Sequence, residues 1–150
     1  MQIKRINKQE TNLVIELFDK YRVFYKQESD ISRATAFINT RLQNNESVIF
    51  VAFIDGKPAG FTQLYPTYSS VRTVKNWILN DLYVDANFRK QGIGEALIKT
   101  ATQFAKDQAA TFVQLSTAID NFTAQSLYEN IGFAKQEPET DFFTYRIQLT

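Results

Sequence analysis

A strand-like run from Trp77 to Val84 leads through a short loop, Asp85 to Gln91, into a helical pattern in which Ile93, Leu97, Ile98, Ala101, Phe104 and Ala105 share one side. Glycines mark the junction, Arg89-Lys90-Gln91-Gly92-Ile93-Gly94. A strand that feeds a helix through a glycine turn lays that helix back on a sheet, which restricts the chain to α/β or α+β architectures. The turn also carries a chemistry. The N–H groups of the first helical turn point out of the helix start, where the dipole favours an anion. Gly92 and Gly94 let the backbone approach a ligand without a Cβ in the way, and Arg89 and Lys90 add positive charge. A phosphate or pyrophosphate is the expected guest, although the pattern alone also fits an ordinary tight turn. A dinucleotide fingerprint would need a third glycine where Leu97 stands, and a P-loop would need Gly-Lys-Ser/Thr where Gly94-Glu95-Ala96 stands, so both are excluded.

The rest of the chain supplies elements around this junction. Ile3 to Ile6 reads as a first strand. Leu13, Val14, Leu17, Phe18, Tyr21, Phe24 and Tyr25 recur at the spacing of one helical face, and Ser29 or Asp30 caps a second helix reaching about Asn44, with Ala34, Phe37, Ile38, Arg41 and Leu42 inward. Tyr25 to Asp30 is an exposed turn between them. Ser47 to Ile54 and Ala59 to Tyr65 are strands joined through Asp55-Gly56, a dipeptide suited to two positive φ values. Beyond the junction, Phe112 to Thr117 reads as a strand and Phe122 to Ile131 as a helix ended by Gly132. Asp141 to Leu149 reads as a last strand with Phe143, Tyr145, Ile147 and Leu149 on one face. The expected fold is α/β (α+β), a mixed central sheet of six to seven strands with about four helices, in the order β-α-α-β-β-β-α-β-α-β-β.

Composition narrows the function. A chain of 150 residues, 44% hydrophobic and without repeats or low-complexity linkers, fits a single domain over 1–150. Lys+Arg 17 against Asp+Glu 16 leaves a net charge of +1, which is no electrostatic footprint for nucleic acid. The chain has no Cys and no His, which excludes disulfides, thiolate nucleophiles, Cys/His zinc sites and His-dependent triads. No apolar stretch approaches bilayer length, and Met1 to Glu10 lacks the apolar core of a signal peptide, so no membrane association, no metal and a cytoplasmic location are expected.

"DLYVDANFRKQGIGEALI" resembles motif A of the GNAT superfamily of N-acetyltransferases, with Arg89, Gly92 and Gly94 on its Arg/Gln-x-x-Gly-x-Gly/Ala signature. "DNFTAQSLYENIGF" is similar to motif B of the same superfamily, in which an Asn opens the helix, a Tyr follows and Gly-Phe starts the next segment; Asn121, Tyr128, Gly132 and Phe133 hold those places. Element order agrees over essentially the whole chain.

The resemblance implies acetyl-CoA as cosubstrate, lying between parallel strands at Leu79–Val84 and Phe112–Thr117. Its pyrophosphate would rest on Arg89, Lys90, Gln91, Gly92, Ile93, Gly94 and Glu95. Backbone groups of Leu82, Tyr83 and Val84 would pair with the pantetheine arm as an added strand does, with Asn121, Ala124 and Tyr128 on its other side; Asn121 also suits a helix N-cap. Tyr128 resembles the family's general acid for the departing thiolate, with core packing as the alternative. A primary amine attacks a thioester directly, so a chain without His or Cys suffices. The closest resemblance is to polyamine and diamine acetyltransferases, but Asn80 stands where their base is Glu. A neutral amide cannot be that base; Asp81 is a candidate, although strand alternation places it on the face opposite Asn80 and a structural hydrogen-bonding role fits it equally, and the alternatives are water-relayed removal or Glu28 or Asp30 of the inter-helix turn. Tyr21, Tyr25, Glu28, Asp30, Trp77 and Asn80 are the expected acceptor wall, aromatics and acids suited to a cation. The competing readings are a non-catalytic acyl-CoA sensor and a generic phosphate-binding module. The aromatic last strand points to a homodimer.

Overall fold

The computed structural model describes all 150 residues, which divide into two compact units, Met1–Ser116 and Thr117–Thr150. In the first unit, β1 (Gln2–Arg5) leads through a short 3-10 turn (Thr11–Leu13) to α1 (Ile15–Phe24) and α2 (Ile31–Gln43). Three long strands follow, β2 (Val48–Ile54), β3 (Lys57–Ser69) and β4 (Val74–Val84), then a 3-10 turn at Ala86–Phe88, α3 (Ile93–Asp107) and β5 (Val113–Gln114). The strands lie in the order β1-β2-β3-β4-β5, antiparallel except for the parallel β4–β5 pair. Asp55 and Gly56 both take positive φ, 51° and 78°, as the β2–β3 hairpin requires.

Each sheet face is closed by helices whose apolar stripe matches it. On one face Val14, Leu17, Phe18, Ala34 and Ile38 meet Ile49, Val51 and Phe61. On the other, Phe104 of α3 sets its ring against Phe50 of β2 and Trp77 of β4, at 5.7 and 5.2 Å between centroids. Gly60 of β3 lies against the start of α3. A Cβ there would stand 2.9 Å from the Tyr83 carbonyl oxygen and 3.2 Å from Ile93, so glycine is what allows the start of α3 to pack against the end of β4. The α1–α2 turn is held from below by the buried Asp19, whose carboxylate accepts from Ser29 Oγ at 2.6 Å and the Asp30 N–H at 2.8 Å; Asp30 in turn caps α2 at Arg33 N–H.

The second unit holds α4 (Phe122–Ile131), capped by the Asn121 side chain on the Ala124 N–H and closed at Gly132, after which Tyr128 and Phe133 bring their rings to 6.1 Å. Residues 134–150 form neither helix nor strand. The expected sheet of six to seven strands is therefore one of five. The alternation of Phe143, Tyr145, Ile147 and Leu149 gives a segment one apolar face, but a strand also needs a partner edge, and no strand pairs with theirs. The expected strand at Phe112–Thr117 is likewise only Val113–Gln114, because its pairing with β4 lasts for two rows. No helix is long and apolar enough to cross a membrane.

Candidate active site

β4 and β5 part almost as soon as they meet. Trp77 pairs with Val113 and Ile78 with Gln114, and from Leu79 to Val84 the edge of β4 away from β3 has no strand beside it. The meeting point is pinned by the buried Asn76, whose Oδ1 accepts from Thr111 N–H at 2.7 Å, Thr111 Oγ1 at 2.9 Å and Phe112 N–H at 3.1 Å. An open strand edge presents backbone N–H and C=O groups to an extended partner.

That edge runs directly into the glycine junction. Gly92 is the N-cap residue of α3, in the left-handed region at φ 77°, and no side chain caps the helix, which leaves its first-turn N–H groups for an anion. Lys90 also has positive φ, at 63°. Arg89 folds back, donating from Nε to the Val84 carbonyl at 3.1 Å with its guanidinium 5.8 Å from the Tyr83 ring centroid. Glu95 pairs with Lys99 along the helix at 2.9 Å and so turns its charge away from the helix start. The loop before the junction is tied to α1: Lys20 Nζ donates to Asp85 at 2.8 Å while Asp85 accepts from Asn87 N–H at 2.9 Å. The Lys20 ammonium holds the Asp85 carboxyl below the usual carboxylate range, and Asp85 holds Lys20 above the usual lysine range. A cavity of about 920 Å³ lies along α1 here, with Asn12, Ile15, Lys20, Phe24 and Tyr83 in its wall.

Farther back on β4 the strand bulges. Gln63 pairs with Asp81 and Leu64 with Leu79, so Asn80 has no partner on β3. This overturns the expectation from strand alternation that Asn80 and Asp81 face opposite ways: Asn80 Nδ2 donates to Asp81 Oδ1 at 2.7 Å. Asp81 is 2% exposed. Its other oxygen accepts from Gln63 Nε2 at 2.6 Å, and the Tyr21 hydroxyl donates to the Asn80 carbonyl at 3.4 Å. Burial raises the Asp81 carboxyl above its ordinary range, and the hydrogen bonds from Asn80 and Gln63 oppose the rise without cancelling it. Burial and the Asp81 charge also raise the Tyr21 and Tyr65 phenols.

Of the expected acceptor wall, Tyr21, Tyr25 and Asn80 come together, with the Tyr21 and Tyr25 rings 5.0 Å apart. Glu28 offers its backbone carbonyl to Arg22, Asp30 is occupied as the α2 cap, and Trp77 is buried against Phe104 on the opposite sheet face, away from Tyr21. Asn121 and Ala124 form the α4 cap, with Tyr128 farther along that helix. Sequence reasoning missed Gln63, Tyr65, Lys20 and Asp85. A glutamine inside the apolar run Phe61-Thr62-Gln63-Leu64 is the signal that could have flagged Gln63.

The parting of β4 from β5 thus sets an open strand edge beside a helix start with no side-chain cap. Residues 12–133 match the acetyltransferase (GNAT) family model, and the chain belongs to that family of acetyltransferases, whose cosubstrate is acetyl-CoA. It is 41% identical over 149 residues to the uncharacterized N-acetyltransferase YhfO of Bacillus subtilis (strain 168), covering 99% of this chain and 98% of that one. It is 24% identical over 139 residues to a thialysine N-epsilon-acetyltransferase of Caenorhabditis elegans, covering 89% and 83%. The crystal structure of a probable acetyltransferase superposes with a TM-score of 0.88 at 36% identity, covering 100% of this chain and 99% of that one.

Proposed function

We propose that this chain transfers the acetyl group of acetyl-CoA to a primary amine of a small molecule or peptide, by direct attack of the amine on the thioester. The observation that carries the reading is the open edge of β4 from Leu79 to Val84 running into the uncapped, glycine-led start of α3. The N–H groups from Gly92 to Glu95, with Arg89, Lys90 and Gln91, suit the pyrophosphate. The backbone of Leu82, Tyr83 and Val84 suits an extended arm, and the resemblance to motif B adds Asn121, Ala124 and Tyr128 to it.

In the reaction the neutral amine nitrogen forms a bond to the acetyl carbon, the carbon–sulfur bond breaks, the Tyr128 hydroxyl gives its proton to the departing sulfur, and the proton shed by the nitrogen passes through solvent to restore the Tyr128 hydroxyl. Tyr21, Tyr25 and Asn80 are placed on the acceptor, where aromatic faces and an amide carbonyl favour a cationic amine. The lysine-like acceptor of the Caenorhabditis elegans relative supports that class. The polyamine and diamine type is the nearest within it, with Asn80 in place of Glu as the departure. Acetyl-CoA is a cytoplasmic metabolite, which supports a cytoplasmic location, and the alternating apolar residues from Phe143 to Leu149 support a homodimer.

Titration with acetyl-CoA and an acceptor panel test the reading. Gly92→Val is expected to weaken acetyl-CoA binding at least about tenfold, because a β-branched residue resists the left-handed backbone at φ 77°. Tyr128→Phe is expected to keep binding and lose about 10²-fold in turnover. Unchanged affinity in a folded Gly92→Val variant would reject the cosubstrate site, and full activity in Tyr128→Phe would reject the acid.

A further inference from the structure

We infer that Asp81 and Gln63 are positioning residues for the acceptor: together they hold the Asn80 side-chain amide with its NH2 edge inward and its carbonyl oxygen toward the amine. The inference deepens the proposed amine acetylation and rests on that reading.

The contacts start at the β4 bulge. Asn80 has no partner on β3 and is exposed, whereas Asp81 beside it is 2% exposed. The bond from Asn80 Nδ2 to Asp81 Oδ1, at 2.7 Å, joins the two side chains. Asp81 is itself held in place. Its Oδ2 accepts from Gln63 Nε2 at 2.6 Å, and its backbone carbonyl accepts from the buried Thr62 Oγ1 at 2.8 Å. One carboxylate thus receives an amide NH2 at each of its oxygens.

Donor and acceptor chemistry sets the direction of the Asn80 amide. An ionised carboxylate only accepts, so the edge of the amide turned to it is the NH2 edge, and Oδ1 is left on the exposed side. Protonation of Asp81 does not reverse this. Gln63 Oε1 is buried without a hydrogen-bond partner, so a half-turn of the Gln63 amide meets the new O–H and satisfies that oxygen. Turning Asn80 instead would leave Gln63 Oε1 unsatisfied. Gln63 therefore absorbs the change, and Asn80 keeps its orientation.

That orientation decides what position 80 recognises. An amine, charged or neutral, presents N–H donors; a carbonyl oxygen accepts from them, whereas an outward NH2 would set donor against donor. Tyr21 and Tyr25 stand at the same place, the Tyr21 hydroxyl donating to the Asn80 backbone carbonyl at 3.4 Å and the two rings 5.0 Å apart. Position 80 is thereby an uncharged hydrogen-bond acceptor on a rigid support, and the support is the buried pair behind it.

The test measures kcat and KM for a lysine-like amine, and KM for acetyl-CoA, in the wild type, Asn80→Leu, Asp81→Leu, Asp81→Asn and the Asn80→Leu/Asp81→Leu double variant. Asn80→Leu removes the accepting oxygen and is expected to raise the amine KM about tenfold or more. Asp81→Leu removes the support and is expected to raise it about three- to tenfold, the scale of ordering one side chain, with kcat and the acetyl-CoA KM within about twofold of the wild type. A merely structural loss would instead lower kcat through the active fraction and leave the amine KM unchanged. Asp81→Asn still accepts from Asn80 through its own carbonyl, so its amine KM should stay within about twofold. The double variant should be no worse than Asn80→Leu, because the support acts only through that amide. An amine KM within about twofold of the wild type in folded Asn80→Leu or Asp81→Leu overturns the inference, as do losses that multiply in the double variant. So does a rise of more than about twofold in Asp81→Asn, which would assign the effect to the charge. Should Asp81→Leu not fold, Asn80→Leu and Asp81→Asn decide by the same limits, together with the Asn80 side-chain NH2 resonances, identified by their loss in Asn80→Leu. Their exchange with solvent is expected to be at least about tenfold slower than for an exposed asparagine, and equal rates overturn the inference. Absence of turnover by the wild type with every amine overturns the amine reading and the positioning role with it, whereas failure of the positioning role alone leaves wild-type turnover intact.

Discussion

Asp81 and Asp85 lie on the same stretch of chain, one within β4 and one just past its end, and the fold treats them in opposite ways. Both are nearly inaccessible, at 2% and 6%. Asp85 faces an ammonium and is held ionised; Asp81 faces two amides and a phenol and is pushed toward its acid form. Burial alone therefore does not decide a carboxyl's charge. A cation within hydrogen-bond reach outweighs desolvation at Asp85, and neutral donors do not at Asp81. The first arrangement suits a fastener between α1 and the glycine junction, and the second makes stability fall as the carboxyl ionises.

The largest expected effect comes from removing the acceptor at the buried member. Asp81→Leu leaves the Gln63 amide without an acceptor inside the sheet and is expected to lower stability by about 1–3 kcal/mol, read by denaturant titration. A loss no larger than that of a surface substitution would show that the cluster opens to water.

Asp81→Asn is expected to do the reverse. With the Gln63 amide turned over, the new amide accepts from Asn80 and donates to Gln63 Oε1 in exchange for the bond from Gln63 Nε2, so the hydrogen-bond count is unchanged while a buried charge is removed, a net gain of about 1 kcal/mol at neutral pH. Because folded Asp81 holds its proton to higher pH than an unfolded aspartate, the wild type loses stability as pH rises from about 4 through the folded value. The variant has no such loss. Its advantage in Tm should therefore be largest at neutral pH and shrink as pH falls toward 4; an advantage that does not change with pH would separate it from Asp81 ionisation.

Lys20→Met is expected to be the smallest, about 0.5–1 kcal/mol, since the lysine side chain is 44% exposed and water screens the pair. Here the sign of the pH dependence is opposite to that of Asp81. The pair's contribution is present above the ordinary aspartate range, disappears as pH falls through the depressed Asp85 value, and at the other end lasts until pH passes the raised value of Lys20. Paired melts of wild type and variant from about pH 2 to 8 measure it, and a difference that does not shrink as pH falls below about 4 would contradict the assignment.

What was legible in the sequence follows from how local each feature is. The glycine junction, the Asp55-Gly56 hairpin and the Asp30 and Asn121 caps are set by residues within a turn of one another, and they stand where expected. The Lys20–Asp85 bond joins residues 65 apart, which no short-range pattern encodes. The Asn80 bulge was invisible for a different reason. Alternation assumes an unbroken ladder, and a single unpaired residue reverses every later facing. The last segment erred the other way, its apolar alternation marking a capacity to pair that the second unit does not use.

The open edge of β4 has a consequence for how the protein tolerates mutation. Main-chain N–H and C=O groups are the same in nearly every amino acid, so whatever extended group lies along Leu79 to Val84 is recognised by features that drift in side chains leaves intact. Proline is the exception, since it alone lacks the N–H. Side chains along this edge can therefore be rewritten while its main-chain track of donors and acceptors is inherited unchanged.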